Sequence, residues 1–191
     1  MMNKNVLCFL LAAITVMVAT VGCDSKRERI KDTLTAMHQQ QIVLPLDRMK
    51  CRYNGKDTIV NHSTVPKLRM VVYLDSAYCT SCTLDKMRMW NGLIADASKY
   101  KGGLQYVFIA APKPEQLEDT YFSIDDSQLD SPVYIDTAYA MRAANPDLPD
   151  GNEYHSVLID EDGNVLFVGS PVGGDDLKEL YNKTIRSNIN N

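Results

Sequence analysis

The stretch "KLRMVVYLDSAYCTSCTLDKM", residues 67–87, carries a nearly continuous apolar run into two cysteines spaced Cys-x-x-Cys and then into a helix-like segment. "KLRMVVYLD" has the unbroken hydrophobicity of a strand buried on both faces. Cys79 and Cys82 at such a junction either carry electrons as dithiol and disulfide or hold a metal ion. The choice depends on what the rest of the chain builds around them and on the compartment it occupies.

Toward the C-terminus, Met87, Trp90, Leu93, Ile94 and Ala97 form the buried stripe expected of a helix that opens at the cysteines. "GLQYVFIAA" (103–111) is a second strand of the buried type, and residues 113–124 read as a helix with Pro114 near its first turn. "SPVYID" (131–136) is a short strand, "TAYAMRAA" (137–144) a helix and "NPDLPDGNE" (145–153) a run of turns. Residues 154–170 then read as an antiparallel hairpin around Asp162-Gly163. Gly173-Gly174 breaks the chain before a last helix at 175–186. Toward the N-terminus, residues 48–60 look like two strands joined by Asn54-Gly55, a pair that favours a tight hairpin. Residues 26–40 place Ile30, Leu34 and Met37 at helical spacing. The chain has no internal repeat and no low-complexity tract.

Its 191 residues suit one main domain with a core of its own. The net charge of −4 supplies no basic field for nucleic acid. Residues 1–22 read as an export signal, with Lys4 ahead of an apolar run that meets Cys23 and the polar switch "DSKRER". The run is short for a membrane anchor. Its ending resembles a bacterial lipobox, which implies lipidation at Cys23, although Thr20 stands where leucine is usual; an uncleaved anchor is the alternative. Either way the remaining chain is expected outside the cytoplasm, periplasm-facing or at the outer membrane. The expected organisation is a signal at 1–22, a helix and linker at 23–44 and the main domain at 45–191. One close cysteine pair plus Cys51 does not make a disulfide-stapled scaffold. Cys51 reads as a small buried hydrophobe or as a third redox thiol.

The order strand, cysteine pair, helix, strand, helix, strand, hairpin, helix is an α/β pattern. With "YCTSC" at a strand-to-helix junction and the closing "VLIDEDGNVLFVG", it resembles the thioredoxin fold over roughly residues 45–187. More narrowly it is similar to the thioredoxin-like and TlpA-like lipoproteins of Bacteroidota. The resemblance implies a mixed central sheet flanked by helices, with the hairpin as an N-terminal addition. It also implies thiol–disulfide exchange on protein thiols and disulfides, no cofactor beyond the cysteines, and a membrane electron donor of the DsbD or CcdA kind.

A helix N-terminus lowers a thiol's pKa, so Cys79 is the expected nucleophile and Cys82 the resolving sulfur, roles that the resemblance also assigns. Tyr78 precedes the nucleophile where thioredoxins usually carry tryptophan, and the hydroxyls of Thr80 and Ser81 can hydrogen-bond its thiolate. Thioredoxins carry a buried acid six residues before the first cysteine; here that position is Tyr73, a poor base near neutral pH. Asp75 lies on the same strand face and either assists proton transfer from Cys82 or caps the turn. His155 falls where the fold usually places a cis-proline facing the cysteines. It reads either as a buried strand-end histidine satisfied by the backbone or as a base or metal ligand. Cys79, Cys82 and His155 form a possible soft-metal set similar to that of Sco-type copper proteins, so copper binding or delivery is the alternative function.

Overall fold

The two apolar runs lie side by side at the centre of one sheet, where both of their faces are covered. The computed structural model describes residues 25–60, 64–77 and 81–189, with the backbone alone for Ser81 and Cys82. Cys23, Tyr78, Cys79 and Thr80 lie outside the described residues.

The chain divides after Ala36. The first helix, α1, covers residues 25–37, with Ile30 exposed and Leu34 half-buried. From Met37 onward the order is β1 (Lys50–Tyr53), β2 (Lys56–Thr58), β3 (Leu68–Leu74), α2 (Ser81–Leu84), α3 (Asn91–Asp96) and β4 (Leu104–Ala110). There follow α4 (Leu117–Asp126), β5 (Val133–Ile135), α5 (Ala140–Ala144), β6 (Ser156–Asp160), β7 (Val165–Val168) and α6 (Asp175–Asn188). The strands form one seven-stranded sheet in the order β2-β1-β5-β4-β3-β6-β7.

β3, β4 and β5 are parallel neighbours, with β3 and β4 matched from Leu68 opposite Leu104 to Leu74 opposite Ala110. β6 pairs antiparallel with β3, and β7 antiparallel with β6. This order and polarity, with α6 closing the chain, make the protein α/β and thioredoxin-like, as the sequence implied. The Asn54-Gly55 hairpin forms with both residues at positive φ, 49° and 74°, the geometry that two-residue hairpins use. It joins the sheet beside β5, with Cys51 opposite Tyr134.

Alternation along β3 sends Leu68, Met70, Val72 and Leu74 to one face. There they meet Leu84, Met87, Trp90 and Leu93 of the segment that follows the cysteines, together with Tyr181 and Ile185 of α6. The Trp90 indole meets the Phe108 ring edge-on at 5.7 Å, an arrangement that aromatic quadrupoles favour. The Tyr106 and Tyr181 hydroxyls satisfy each other inside this core at 2.6 Å.

The structure corrects one element. The helix expected after the cysteines is not continuous: α2 ends at Leu84, a 3-10 turn runs Met87–Trp90, and α3 then leads into a second 3-10 turn at Ala97–Tyr100. A 3-10 turn aligns residues three apart, so Met87 and Trp90 still point inward together and the buried stripe survives the break. Asn91 holds the new direction, donating to the Gln128 carbonyl at 2.7 Å and accepting from the Asp130 N–H at 2.9 Å.

Residues 41–43, within the main unit, are held by the Gly163 turn and by Asn145. The Ile42 N–H donates to the Gly163 carbonyl at 2.8 Å, and Asn145 takes the Val43 N–H at 2.8 Å. Gly163, at φ 91°, lets this happen, because a Cβ there would sit 2.6 Å from the Ile42 carbonyl oxygen. Among the described residues no helix is long and apolar enough to cross a membrane.

Candidate functional site

In open sheets with parallel strands, the carboxyl ends of those strands are where ligands and chemistry collect. β3 ends at Leu74, and the chain continues through Asp75 toward the cysteines. Of the residues assigned to the pair, the described backbone shows Ser81 opening α2 and Cys82 following it. α2 is four residues long, so the long helix whose dipole was expected to press on Cys79 is here a single turn.

Tyr73, Asp75 and His155 are brought together. Tyr73 is 2 % exposed, and its backbone N–H donates to the His155 carbonyl at 2.9 Å. The two rings lie 5.4 Å apart at 52°. Burial, helped by the carboxylates of Asp136 and Asp75, pushes the Tyr73 phenol up to about 12. It therefore stays protonated near neutral pH.

Asp75 uses its two oxygens differently. Oδ1 accepts the Ala77 N–H at 2.9 Å, which turns the chain just before the cysteine segment. Oδ2 faces Arg142 Nη2 at 3.4 Å and His155 Nδ1 at 3.7 Å. The side chain is 15 % exposed, against 1 % for His155.

His155 sits immediately before β6, with φ −92° and ψ 5°. Its Nε2 lies 2.8 Å from the Pro149 carbonyl oxygen. A carbonyl only accepts, so Nε2 carries the proton and Nδ1 is the basic nitrogen of the neutral ring. Burial holds the imidazole below its ordinary pKa of 6.5. The Pro149 hydrogen bond and the carboxylates of Asp75 and Asp150 oppose that shift, and the Arg142 charge reinforces it.

Arg142 was not among the residues the sequence singled out. It rises from α5, donates to the Leu148 carbonyl through Nη1, and places Nη2 3.4 Å from both Asp75 and Asp150. Asp136, fully buried, holds α5 in place by accepting the Ala140 and Met141 N–H groups, each at 2.8 Å. A lone arginine in the otherwise apolar "TAYAMRAA" was the available signal.

A cleft of about 340 Å³ opens at this end of the sheet, lined among others by Leu74, Thr83, Met87, Asn152, Glu153 and Ser156. It brings the first turn of α2 against the ends of β3 and β6. Cys51 lies on the edge hairpin, where burial raises its thiol to about 11 and keeps it protonated at neutral pH. Among the described residues no three His, Cys, Asp or Glu side chains gather closely enough to hold a metal ion. Of the soft-metal set only the His155 side chain is described, and its Nε2 is committed to Pro149.

No protein-family model and no curated protein sequence matches the chain. Among solved structures it is similar to a candidate thiol:disulfide interchange protein DsbE from Chlorobium tepidum, at 17 % identity and a TM-score of 0.47 over 65 % of this chain and 82 % of that one. It is similar to a candidate protein disulfide isomerase from Bacteroides thetaiotaomicron, at 15 % identity and a TM-score of 0.49 over 79 % and 89 %. A third is peroxiredoxin Q of Xanthomonas campestris, at 14 % identity and a TM-score of 0.47 over 76 % and 97 %. These are partial likenesses of backbone, and the fold assignment rests on the strand order and register above.

Proposed function

We propose that this chain carries out thiol–disulfide exchange on other proteins through Cys79 and Cys82. The observation that supports the reading is where the chain enters and leaves the Cys-x-x-Cys stretch: β3, a central parallel strand, ends at Leu74, and the described chain resumes with Ser81 opening α2, whose Thr83 lines the cleft with Leu74. Cys79 attacks a partner disulfide as the thiolate, forming a mixed disulfide and releasing the first partner sulfur with the bonding electrons. Cys82, deprotonated, then attacks the Cys79 sulfur. The Cys79–Cys82 bond forms, the second partner sulfur leaves, and the partner gains two electrons and two protons. The same residues allow the reverse direction.

The working location is the outer side of a membrane, with the chain anchored by lipid at Cys23; this rests on the sequence of residues 1–23. A protein reducing partners there receives its electrons from a membrane donor of the DsbD or CcdA kind. The chemistry needs no cofactor beyond the two sulfurs.

The test is a redox titration of the full chain, purified without added metal, with thiol state read by alkylation and mass spectrometry. Clean interconversion of Cys79 and Cys82 at a potential between about −120 and −270 mV, the span of known exchange proteins, is the expected result. Cys79→Ser is expected to abolish insulin reduction. A pair that titrates only after a bound metal is stripped would instead favour copper held by Cys79, Cys82 and His155.

A further inference from the structure

We propose that two copies of this chain associate by laying the basic face of α1 from each across the acidic face of α4 from the other. Each face is complete within its own unit, and neither takes part in the exchange chemistry above.

The α4 face centres on an aromatic ring. α4 buries Thr120, Ser123 and Ile124 and turns Phe122 outward, 73 % exposed. Residues three and four apart are neighbours on a helix surface. Around Phe122 those neighbours are Glu118, Asp119, Asp125 and Asp126, so a carboxylate stands at all four positions. Arg52 takes up Asp125. Among the described residues no cation comes within ion-pair distance of Glu118, Asp119 or Asp126, and all three are exposed.

This face is unfavourable while it stands alone. Its carboxylates repel one another, and Asp126 lies in the last turn of α4, beside the negative end of the helix dipole, where an anion is disfavoured. The ring at its centre stays wet, although aromatic side chains supply the largest apolar contact area of any residue. A surface with an aliphatic centre and a cationic margin relieves all three conditions at once.

α1 carries such a surface. Ile30 is 39 % exposed, and Lys26 and Arg27 stand one turn before it, four and three positions away. Glu28 and Asp32, four apart, fall on the opposite side of the helix, so the charges are sorted with the cations beside Ile30 and the acids behind it. Among the described residues Lys26, Arg27, Arg29 and Lys31 are all exposed and none is in an ion pair.

The two faces match: Ile30 meets Phe122 at a centre that sheds water, and cations meet carboxylates around it. A second copy is the occupant because it brings both faces in equal amount. About a two-fold axis the contact is made twice, α1 of the first copy on α4 of the second and the reverse. The doubling matters, because one face of a ten-residue helix falls short of the roughly 1,200 Å² that stable interfaces bury.

The experiment is sedimentation velocity of the full chain in mild detergent, with a thiol reductant present so that no disulfide joins the copies. The unmutated chain is expected to form a dimer that weakens at least about tenfold between about 0.05 and 0.5 M salt, because exposed charges are screened. Glu118→Lys with Asp119→Lys makes the α4 face basic, and Lys26→Glu with Arg27→Glu makes the α1 face acidic. Each double variant alone is expected to be monomeric, since like charges then meet in both contacts. An equimolar mixture of the two is expected to form a heterodimer, because both of its contacts again pair opposite charges. Phe122→Ser is expected to weaken the unmutated dimer at least about tenfold without lowering the temperature of unfolding.

A chain that stays monomeric up to about 1 mM, or a dimer that both double variants retain, would overturn the proposal. So would a mixture that stays monomeric although each component unfolds at the unmutated temperature. Where a charge reversal disturbs folding, the neutral pairs Glu118→Gln with Asp119→Asn and Lys26→Gln with Arg27→Gln replace it. Both are expected to weaken the dimer several-fold, and an unchanged dimer in both would overturn the proposal.

Discussion

Tyr73 and His155 are joined twice, once through the backbone, where the Tyr73 N–H donates to the His155 carbonyl at 2.9 Å, and once through rings 5.4 Å apart. The backbone bond continues the β3–β6 pairing one residue beyond the strand end, so the position of the imidazole is set by sheet register and not by a loop. A group held this way is buried whether or not it is charged, and that makes it a pH-sensitive element of the fold.

Stability is expected to fall in mild acid for this reason. The folded-state pKa of His155 lies below the unfolded value, so between the two the unfolded chain binds more protons and stability rises with pH. The His155 contribution is complete above about 6.5 and is lost as pH falls through the folded pKa. Urea unfolding at pH 5, 6, 7 and 8 is expected to show the midpoint dropping at the acid end, with His155→Gln flattening that part of the profile.

Two glycines predict opposite effects of the same substitution. Gly163→Ala combines a φ of 91° with a Cβ only 2.6 Å from the Ile42 carbonyl oxygen, and is expected to cost about 1–3 kcal/mol. Gly92 sits inside α3 with nothing within 4 Å of the point a Cβ would occupy, so Gly92→Ala is expected to stabilise by about 0.5–1 kcal/mol. Thermal unfolding of the two variants decides the pair; a loss of stability in both would contradict the assignment at Gly92.

The buried tyrosine pair is expected to be non-additive. Tyr181→Phe leaves the Tyr106 hydroxyl without its partner in the core, at a cost of about 1–3 kcal/mol. Adding Tyr106→Phe removes the stranded group, so the double variant is expected to be more stable than Tyr181→Phe alone. Denaturant melts of the two single variants and the double complete the cycle.

Arg52 fastens the edge hairpin to α4. Arg52 meets both carboxylate oxygens of Asp125, at 2.7 and 2.5 Å, and lies 5.0 Å over the Tyr121 ring. Arg52→Met is expected to leave the central strands intact and to raise amide exchange in β1 and β2 selectively. Uniform acceleration across β3 and β4 would show that the contact supports the whole sheet.

The central strands were legible because residues 68–74 and 104–110 are unbroken apolar runs, and Asn54-Gly55 declared its own turn. The break after Leu84 was not, because Met87 and Trp90 lie three apart and satisfy an α-helix and a 3-10 turn equally well. Tyr73, Asp75 and His155 were readable as single residues of interest, two of them by alternation on one strand. Arg142 was not, since its partner Asp75 is 67 residues away and only the β3-to-α5 packing brings the two together. The site of the hairpin was hidden for a similar reason: the sequence placed it before β3, whereas the free edge it covers belongs to β5, about 80 residues further on.

That hairpin also decides how neighbouring molecules meet. Its outer strand, β2, is three residues long and shows exposed Lys56 and Asp57 to the surroundings. A second sheet approaching this side finds too few free backbone groups to continue the ladder and must strip water from both charges to use them. Crowded copies can therefore slide past one another on this side without knitting into a common sheet.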